Sequence, residues 1–190
     1  MRRAKGSSSG RSLRFNVIGS SGSGKSTLGR KLANILNIPF VEIDAIFWGP
    51  NWQEPDDEEF FEKLSKEIRG DSWVLDGNYT RATHIKWERV DTVIWLDYSF
   101  LRTFIQSVKR ATKRAYTKEE LWPGTGNKES FRQSFFSKDS IILWSVQNYW
   151  IIRDRCQLAM EDEKFAHIEF VRLTSPSDAE RYLRSFEIKA

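Results

Sequence analysis

Gly19-Ser20-Ser21-Gly22-Ser23-Gly24-Lys25-Ser26 follows the spacing Gly-x-x-x-x-Gly-Lys-Ser. Residue types at this spacing can do phosphate chemistry. The glycines let the backbone curl so that successive N–H groups aim at one phosphate chain. Lys25 reaches the outer phosphates, and the Ser26 hydroxyl is offered to Mg²⁺. With glycine at ~7% of residues, the four fixed positions would arise by chance in under ~1% of chains this long. The nucleotide-contacting set expected here is Gly19, Ser20, Ser21, Gly22, Ser23, Gly24, Lys25, Ser26 and Thr27. A helix beginning at the loop would add its dipole to anion binding.

Three apolar runs end on acids: Asp44, Asp76 and Asp97. In open α/β sheets ligands sit beyond the carboxyl ends of the strands, so these acids are expected at the phosphate edge. A metal–nucleotide needs a carboxylate to hold the water shell of Mg²⁺, and an acceptor hydroxyl needs one to orient it. Asp76, followed by Gly77, fits the metal role with Ser26. Asp97, ahead of a helical period, reads as a turn cap. Asp44 fits either an acceptor-orienting role or a cap.

A basic group complements the acids. Lys109, Arg110, Lys113 and Arg114 close one helical period, with Arg110 and Arg114 four apart on one face. Arg132 lies in the following segment, and Arg153 and Arg155 lie on the next helix. Arginines closing over a transferring phosphoryl group stabilise its spread charge, so Lys25, Asp44, Asp76, Arg110, Arg114 and Arg132 form the catalytic set. The same cations could form a solvated face near a helix terminus. His84 and His167 have no metal-ligand spacing, and Cys156 reads as packing. Phe47, Trp48 and Trp52 follow Asp44; they form either a stacking wall for a planar acceptor or the apolar cover of a short loop. Asn127-Lys128-Glu129-Ser130 starts like a guanine-reading Asn-Lys-x-Asp but lacks the final acid.

These residues need a frame. Leu13–Ile18 predicts a strand before the loop, and Ser26–Leu36 a helix with Leu28, Leu32, Ile35 and Leu36 on one face. Pro39–Asp44, Trp73–Asp76, Thr92–Asp97 and His167–Leu173 predict further strands. The continuous apolar runs of Trp73–Asp76 and Thr92–Asp97 suit a parallel sheet covered on both faces. Helices are expected from Pro55 (with Phe60, Phe61, Leu64 and Ile68 inward), over Ser99–Tyr116, over Ile141–Met160, and from Ser175. Residues 117–137, with Pro123, Gly124 and Gly126, read as a loop or lid. Strands alternating with helices predict a doubly wound α/β domain over residues 13–190, its lid spanning about 113–140.

The chain has 190 residues, 39% hydrophobic and 29% charged, enough for one domain with a substantial core. Its net charge is +4. Arg2, Arg3, Lys5, Arg11 and Arg14 account for more than all of it, since +4 less those five charges leaves −1 for the other residues. The basic pI therefore makes no case for a whole-domain nucleic-acid surface. Residues 1–12, basic and Gly/Ser-rich, are expected to be a disordered tail without the apolar core of a secretory signal. No run is long and apolar enough for a membrane span, so no membrane role is expected. One cysteine excludes an internal disulfide and suits a reducing, cytoplasmic setting.

The order of Gly-Ser-Ser-Gly-Ser-Gly-Lys-Ser-Thr-Leu, Ile-Asp-Ala-Ile-Phe-Trp, Trp-Val-Leu-Asp-Gly-Asn-Tyr and Asp-Thr-Val-Ile-Trp-Leu-Asp resembles a family. The chain is similar to the adenylate-kinase-related P-loop proteins of the topology-modulation group, within the nucleoside monophosphate and shikimate kinase superfamily. The likeness is good over residues 13–115 and loose over 168–186. It implies a P-loop NTPase three-layer sandwich, a five-stranded parallel sheet with a helical lid insertion, and the third strand beside the first. It implies ATP and Mg²⁺, with Asp76-Gly77 near the metal and phosphates and Arg110 and Arg114 as the paired arginines before the lid. Asp44 would take the place of the acid on a shikimate-type acceptor, and the Ser175–Asp178 turn would border the adenine. Two departures stand out. Adenylate kinases follow Asp-Gly with Phe-Pro-Arg, whereas this chain has Asn78-Tyr79-Thr80-Arg81; and no Gly-Gly-Gly shikimate motif is present.

Two functions compete. One is a small-molecule kinase passing the ATP γ-phosphoryl group to a nucleotide or hydroxyl acceptor. The other is a nucleic-acid-associated P-loop ATPase or regulator of DNA topology, suggested by the basic tail and the basic 109–114 segment. Neither the acceptor nor the oligomeric state is written in the motifs.

Overall fold

A computed structural model describes residues 12–137 and 140–187. The expected tail lies outside the described residues except for Ser12. The strands are β1 (Leu13–Gly19), β2 (Phe40–Glu42), β3 (Ser72–Asp76), β4 (Thr92–Leu96) and β5 (Glu169–Leu173). The helices are α1 (Lys25–Leu36), α2 (Ile43–Phe47), α3 (Asp57–Glu67), α4 (Thr83–Arg89), α5 (Phe100–Thr117), α6 (Phe131–Phe136), α7 (Ile141–Glu161) and α8 (Pro176–Glu187). All strand pairs are parallel, in the order β2-β3-β1-β4-β5. The third strand thus lies beside the first, as the resemblance implied.

Apolar side chains on both faces of the sheet make three layers. On one face Phe15, Val17, Ile94 and Leu96 pack with Leu28 and Leu32 of α1 and Leu183 of α8. On the other, Ile18, Leu75, Trp73 and Trp95 pack with Phe60 and Leu64 of α3, Trp87 of α4 and Ile152 of α7. Burial on both sides is why β3 and β4 carry no polar alternation. Pro176 opens α8 at a position where its missing N–H costs nothing. Asp56 caps α3 by accepting from the Glu59 N–H at 2.8 Å.

Some expected boundaries move. β2 ends at Glu42, and Asp44 lies in the one-turn helix α2 rather than on a strand. Ile43 and Phe47, four apart, are both buried, and only a helical turn puts them on one inward face. β5 begins at Glu169, two residues after His167. α4 fills a segment for which the sequence suggested no element. The 117–137 segment is not all loop: it holds an antiparallel bridge between Glu120 and Lys128 and then α6.

Candidate functional site

The phosphate-binding loop is seated by its glycines. Gly19 has φ 148°, and a Cβ there would lie 2.7 Å from the Leu96 carbonyl oxygen. Gly22 has φ 77°, and its Cβ would fall 2.5 Å from the Thr103 carbonyl oxygen of α5. The Lys25 ammonium donates to the Ser20 carbonyl at 3.0 Å, inside the loop it must serve. Burial lowers its pKa, Asp76 opposes that shift, and Arg110 adds to it.

Register sets the acids. Val17, Asp76 and Glu42 are partners across β1, β3 and β2, so two carboxylates stand side by side at the strand ends. Asp76 is 5% exposed, and its Oδ1 has no hydrogen-bond partner among the described residues. Burial raises its pKa; Lys25 and a hydrogen bond from Ser26 pull it down. An orphaned carboxylate oxygen beside a hydroxyl suits a hard cation that takes few protein ligands. Among the described residues no cluster of three or more His, Cys, Asp or Glu side chains could hold a metal, so phosphate oxygens and water would complete any such shell. Burial also raises the Glu42 pKa, against the pull of Arg30, which it meets at 2.5 Å.

Asp44 is exposed and accepts the Tyr79 hydroxyl at 2.7 Å. Asp97 is not the cap of α5: Ser99 holds that position. Instead Asp97 is buried between Arg153, at 3.1 Å, and Arg172. Arg153 is not among the residues that line the cavity at the phosphate loop.

The basic face of α5 divides. Arg110 donates to the Ser21 hydroxyl at 2.7 Å, fixing it against the phosphate loop, and burial followed by Arg114 lowers its pKa. Arg114 pairs with Glu129 at 3.1 Å. Lys109 and Lys113 are exposed. A cavity of about 460 Å³ opens between the loop and α5. Lys25, Ser26, Arg30, Glu42, Arg110 and Arg114 line it, and Glu119, Glu120 and Leu121 border it from the segment after α5. Arg132 is exposed on α6 and is not in that lining. Arg155 borders a second, more apolar cavity with Cys156, whose thiol burial pushes up to about 12.

The aromatic group after Asp44 divides too. Phe47 is core, in edge contact with Phe60 at 5.2 Å. Trp48 and Trp52 are half-buried and sit edge to face at 5.7 Å. Arg81 lies 4.5 Å from the Phe47 ring centroid and pairs with Asp57 at 2.9 Å, which ties it to α3. His84 packs on Phe61, and the His167 ring contacts the Trp87 carbonyl at 3.1 Å. Asn127 reads no guanine: it is 2% exposed, and its amide is used within the protein. In the Ser175–Asp178 turn, Asp178 accepts the Ser175 N–H at 2.9 Å and Ser175 Oγ accepts the Asp178 N–H at 3.2 Å.

Sequence reasoning missed several residues. Glu42 lay two places before an acid that drew attention first. Asn78 is a clamp: its amide accepts the Gly19 N–H at 3.0 Å and donates to the Gly19 carbonyl at 2.8 Å. Asn16, wholly buried, donates to the Leu75 and Gly77 carbonyls and accepts from Trp87. Lys86, 1% exposed, donates to the Gly77 carbonyl at 3.2 Å and to that of Asn78, and burial pulls its pKa down to about 7. The signal for Asn78 was its place in Asp-Gly-Asn-Tyr; an isolated lysine in an unassigned segment gave none.

Parallel topology and the glycine-rich loop after the first strand together define an α/β P-loop NTPase fold, a five-stranded parallel sheet between helices. The shikimate kinase family model matches residues 21–67, from within the loop to the end of α3. Among solved structures, a shikimate kinase from Acinetobacter baumannii in complex with shikimate is similar at TM-score 0.54 and 14% identity, with 94% of each chain covered. A gluconokinase from Sinorhizobium meliloti 1021 aligns at TM-score 0.49 and 14% identity, over 95% of this chain and 98% of that one. No curated protein matches the chain. The likeness to the shikimate kinase structure supports the fold. No helix among the described residues is long and apolar enough to cross a membrane.

Proposed function

We propose that the chain is a kinase that transfers the γ-phosphoryl group of Mg·ATP to an oxygen of a small acceptor. The observation that carries this reading is one cavity that gathers the phosphate loop, Lys25, Ser26, Arg110 and Arg114 beside buried Asp76. The loop amides and Lys25 bind and orient the phosphates. Ser26 and Asp76 would hold Mg²⁺, which offsets phosphate charge when bound. Arg110, already against the loop, meets charge developing on the transferred group, and Arg114 and Arg132 are the further cations of the closing segment. Asp44, oriented by Tyr79, takes the proton of the acceptor hydroxyl as its oxygen bonds to phosphorus and the β,γ-bridging oxygen leaves with ADP.

The mixed lining favours a small acceptor over a nucleic acid strand: Lys25, Arg30, Arg110 and Arg114 share it with Glu42, Glu119 and Glu120. The family match and the shikimate-bound structural relative support an alcohol acceptor. Asp-Gly-Asn-Tyr and Ile-Asp-Ala-Ile-Phe-Trp support placement in the topology-modulation branch, and a cytoplasmic location goes with the use of ATP. The test is ADP release from Mg·ATP with shikimate, gluconate, related alcohols and nucleoside monophosphates. One acceptor should raise the rate, and Lys25→Ala should abolish the rise. Slow turnover indifferent to every acceptor would refute the kinase reading.

A further inference from the structure

The segment after α5 and the loop after α2 are far apart in the chain, and Asn127 joins them. Asn127 donates from Nδ2 to the Gly49 carbonyl at 2.9 Å, and its Oδ1 accepts the Trp52 N–H at 3.0 Å. Both contacts are to backbone, so they fix the path of residues 49–52 rather than one rotamer. That path is costly: Asn51 has φ 56° and Trp52 φ 60°, consecutive left-handed positions without glycine. Local strain of this kind persists only where surroundings over-determine it, and it concentrates at binding sites. Trp122 completes the junction, edge to face with Trp52 at 5.8 Å, and Trp52 in turn meets Trp48.

On its own side Asn127 belongs to a compact hairpin. Its carbonyl accepts the Leu121 N–H at 2.9 Å, and the Glu120 carboxylate accepts the Gly126 N–H at 2.7 Å. Glu119, Glu120 and Leu121 of that hairpin border the phosphate cavity. The same hairpin thus borders the phosphate cavity and holds Trp52, which in turn meets Trp48.

We propose that Asn127 is a positioning residue that fixes the Trp48–Trp52 acceptor wall to the lid hairpin, so that nucleotide binding under the hairpin orders the acceptor side as well. The proposal rests on the kinase reading above and deepens it: the wall that selects the acceptor is built partly by the lid. By linkage, acceptor and nucleotide then strengthen each other's binding by the same factor.

Amide hydrogen exchange on the full chain, free and with Mg²⁺ and the non-hydrolysable analogue AMP-PNP, tests this. In the wild type, AMP-PNP should slow exchange at 19–27, at 118–130 and at 49–53. In Asn127→Ala the first two regions should still respond, while the nucleotide-dependent slowing at 49–53 falls by about tenfold, as expected for a lost buried hydrogen bond. A merely structural role would raise exchange at 49–53 equally in both states. Asn127→Asp, equal in size and lacking the donor to Gly49, should show the same loss if the alanine variant unfolds. Undiminished coupling in both variants overturns the proposal. So does a wild type protected at 19–27 but unchanged at 49–53, which leaves the nucleotide reading intact. No protection at 19–27 sinks the nucleotide reading, and the coupling falls with it.

Discussion

Burial works against the charged forms of both Lys25 and Asp76. Lys25→Ala should keep the fold and lower phosphoryl transfer by ~10²–10³-fold, the usual loss for one preorganised charge-stabilising group, as read from steady-state ADP release. Asp76 has a folded-state pKa above its ordinary 3.8, chiefly through burial. The fold therefore binds this proton more tightly than the unfolded chain does. Its contribution to stability is greatest below 3.8, falls as pH rises through the folded pKa, and stays lost at neutral pH. Asp76→Asn should accordingly raise Tm at pH 7 by roughly 2–4 °C, about 1 kcal/mol for a chain this size, while removing activity. Lys86 has the opposite sign. Its folded pKa, about 7, lies below 10.5, so the unfolded chain holds the proton more tightly and stability rises as pH climbs between those values. Urea midpoints on either side of that window should show the rise in the wild type and lose that component in Lys86→Met.

The loop, at the scale of elements, depends on what it packs against. Gly22 and Gly24 look equivalent in the motif, but their surroundings differ. Alanine at Gly22 meets the α5 backbone and a left-handed φ, whereas alanine at Gly24, φ 93°, meets open space. Gly22→Ala should lose ~3 kcal/mol in urea unfolding, overpacking added to backbone strain. Gly24→Ala should lose ~1–2 kcal/mol from strain alone. The strand–loop–helix context was legible because the apolar run, the glycines and the helical period are each local. The clamp from Asn78 to Gly19 was not, because it joins residues far apart in the chain that only the β1–β3 pairing brings together.

Across the whole molecule Asp97 ties the end of β4 to both α7 and β5 through Arg153 and Arg172. The two arginine side chains are 39% and 36% exposed, so water screens part of the pairing. Asp97→Ala should therefore cost ~1–3 kcal/mol, less than the loss of a fully buried ion pair, and the fall in Tm will show it. The sequence placed this acid at a strand end, in the set expected at the phosphate edge. Its use as a structural tie follows from the return of α7 and β5 across the sheet.

By itself the sequence determined the phosphate loop, the parallel α/β architecture and the strand-end position of Asp76. Each is written in contiguous residues: a motif, an apolar run, a period. Tertiary structure alone decided which charges meet. Register set Glu42 beside Asp76, and the one-turn helix α2 moved Asp44 off its strand and against Tyr79. Packing of α5 on the loop chose Arg110 over Lys109, and the return of the 118–130 hairpin gave Asn127 a backbone to hold. Side-chain pairing across the sheet depends on which elements become neighbours, and strand order and helix packing fix that only once the whole chain has folded.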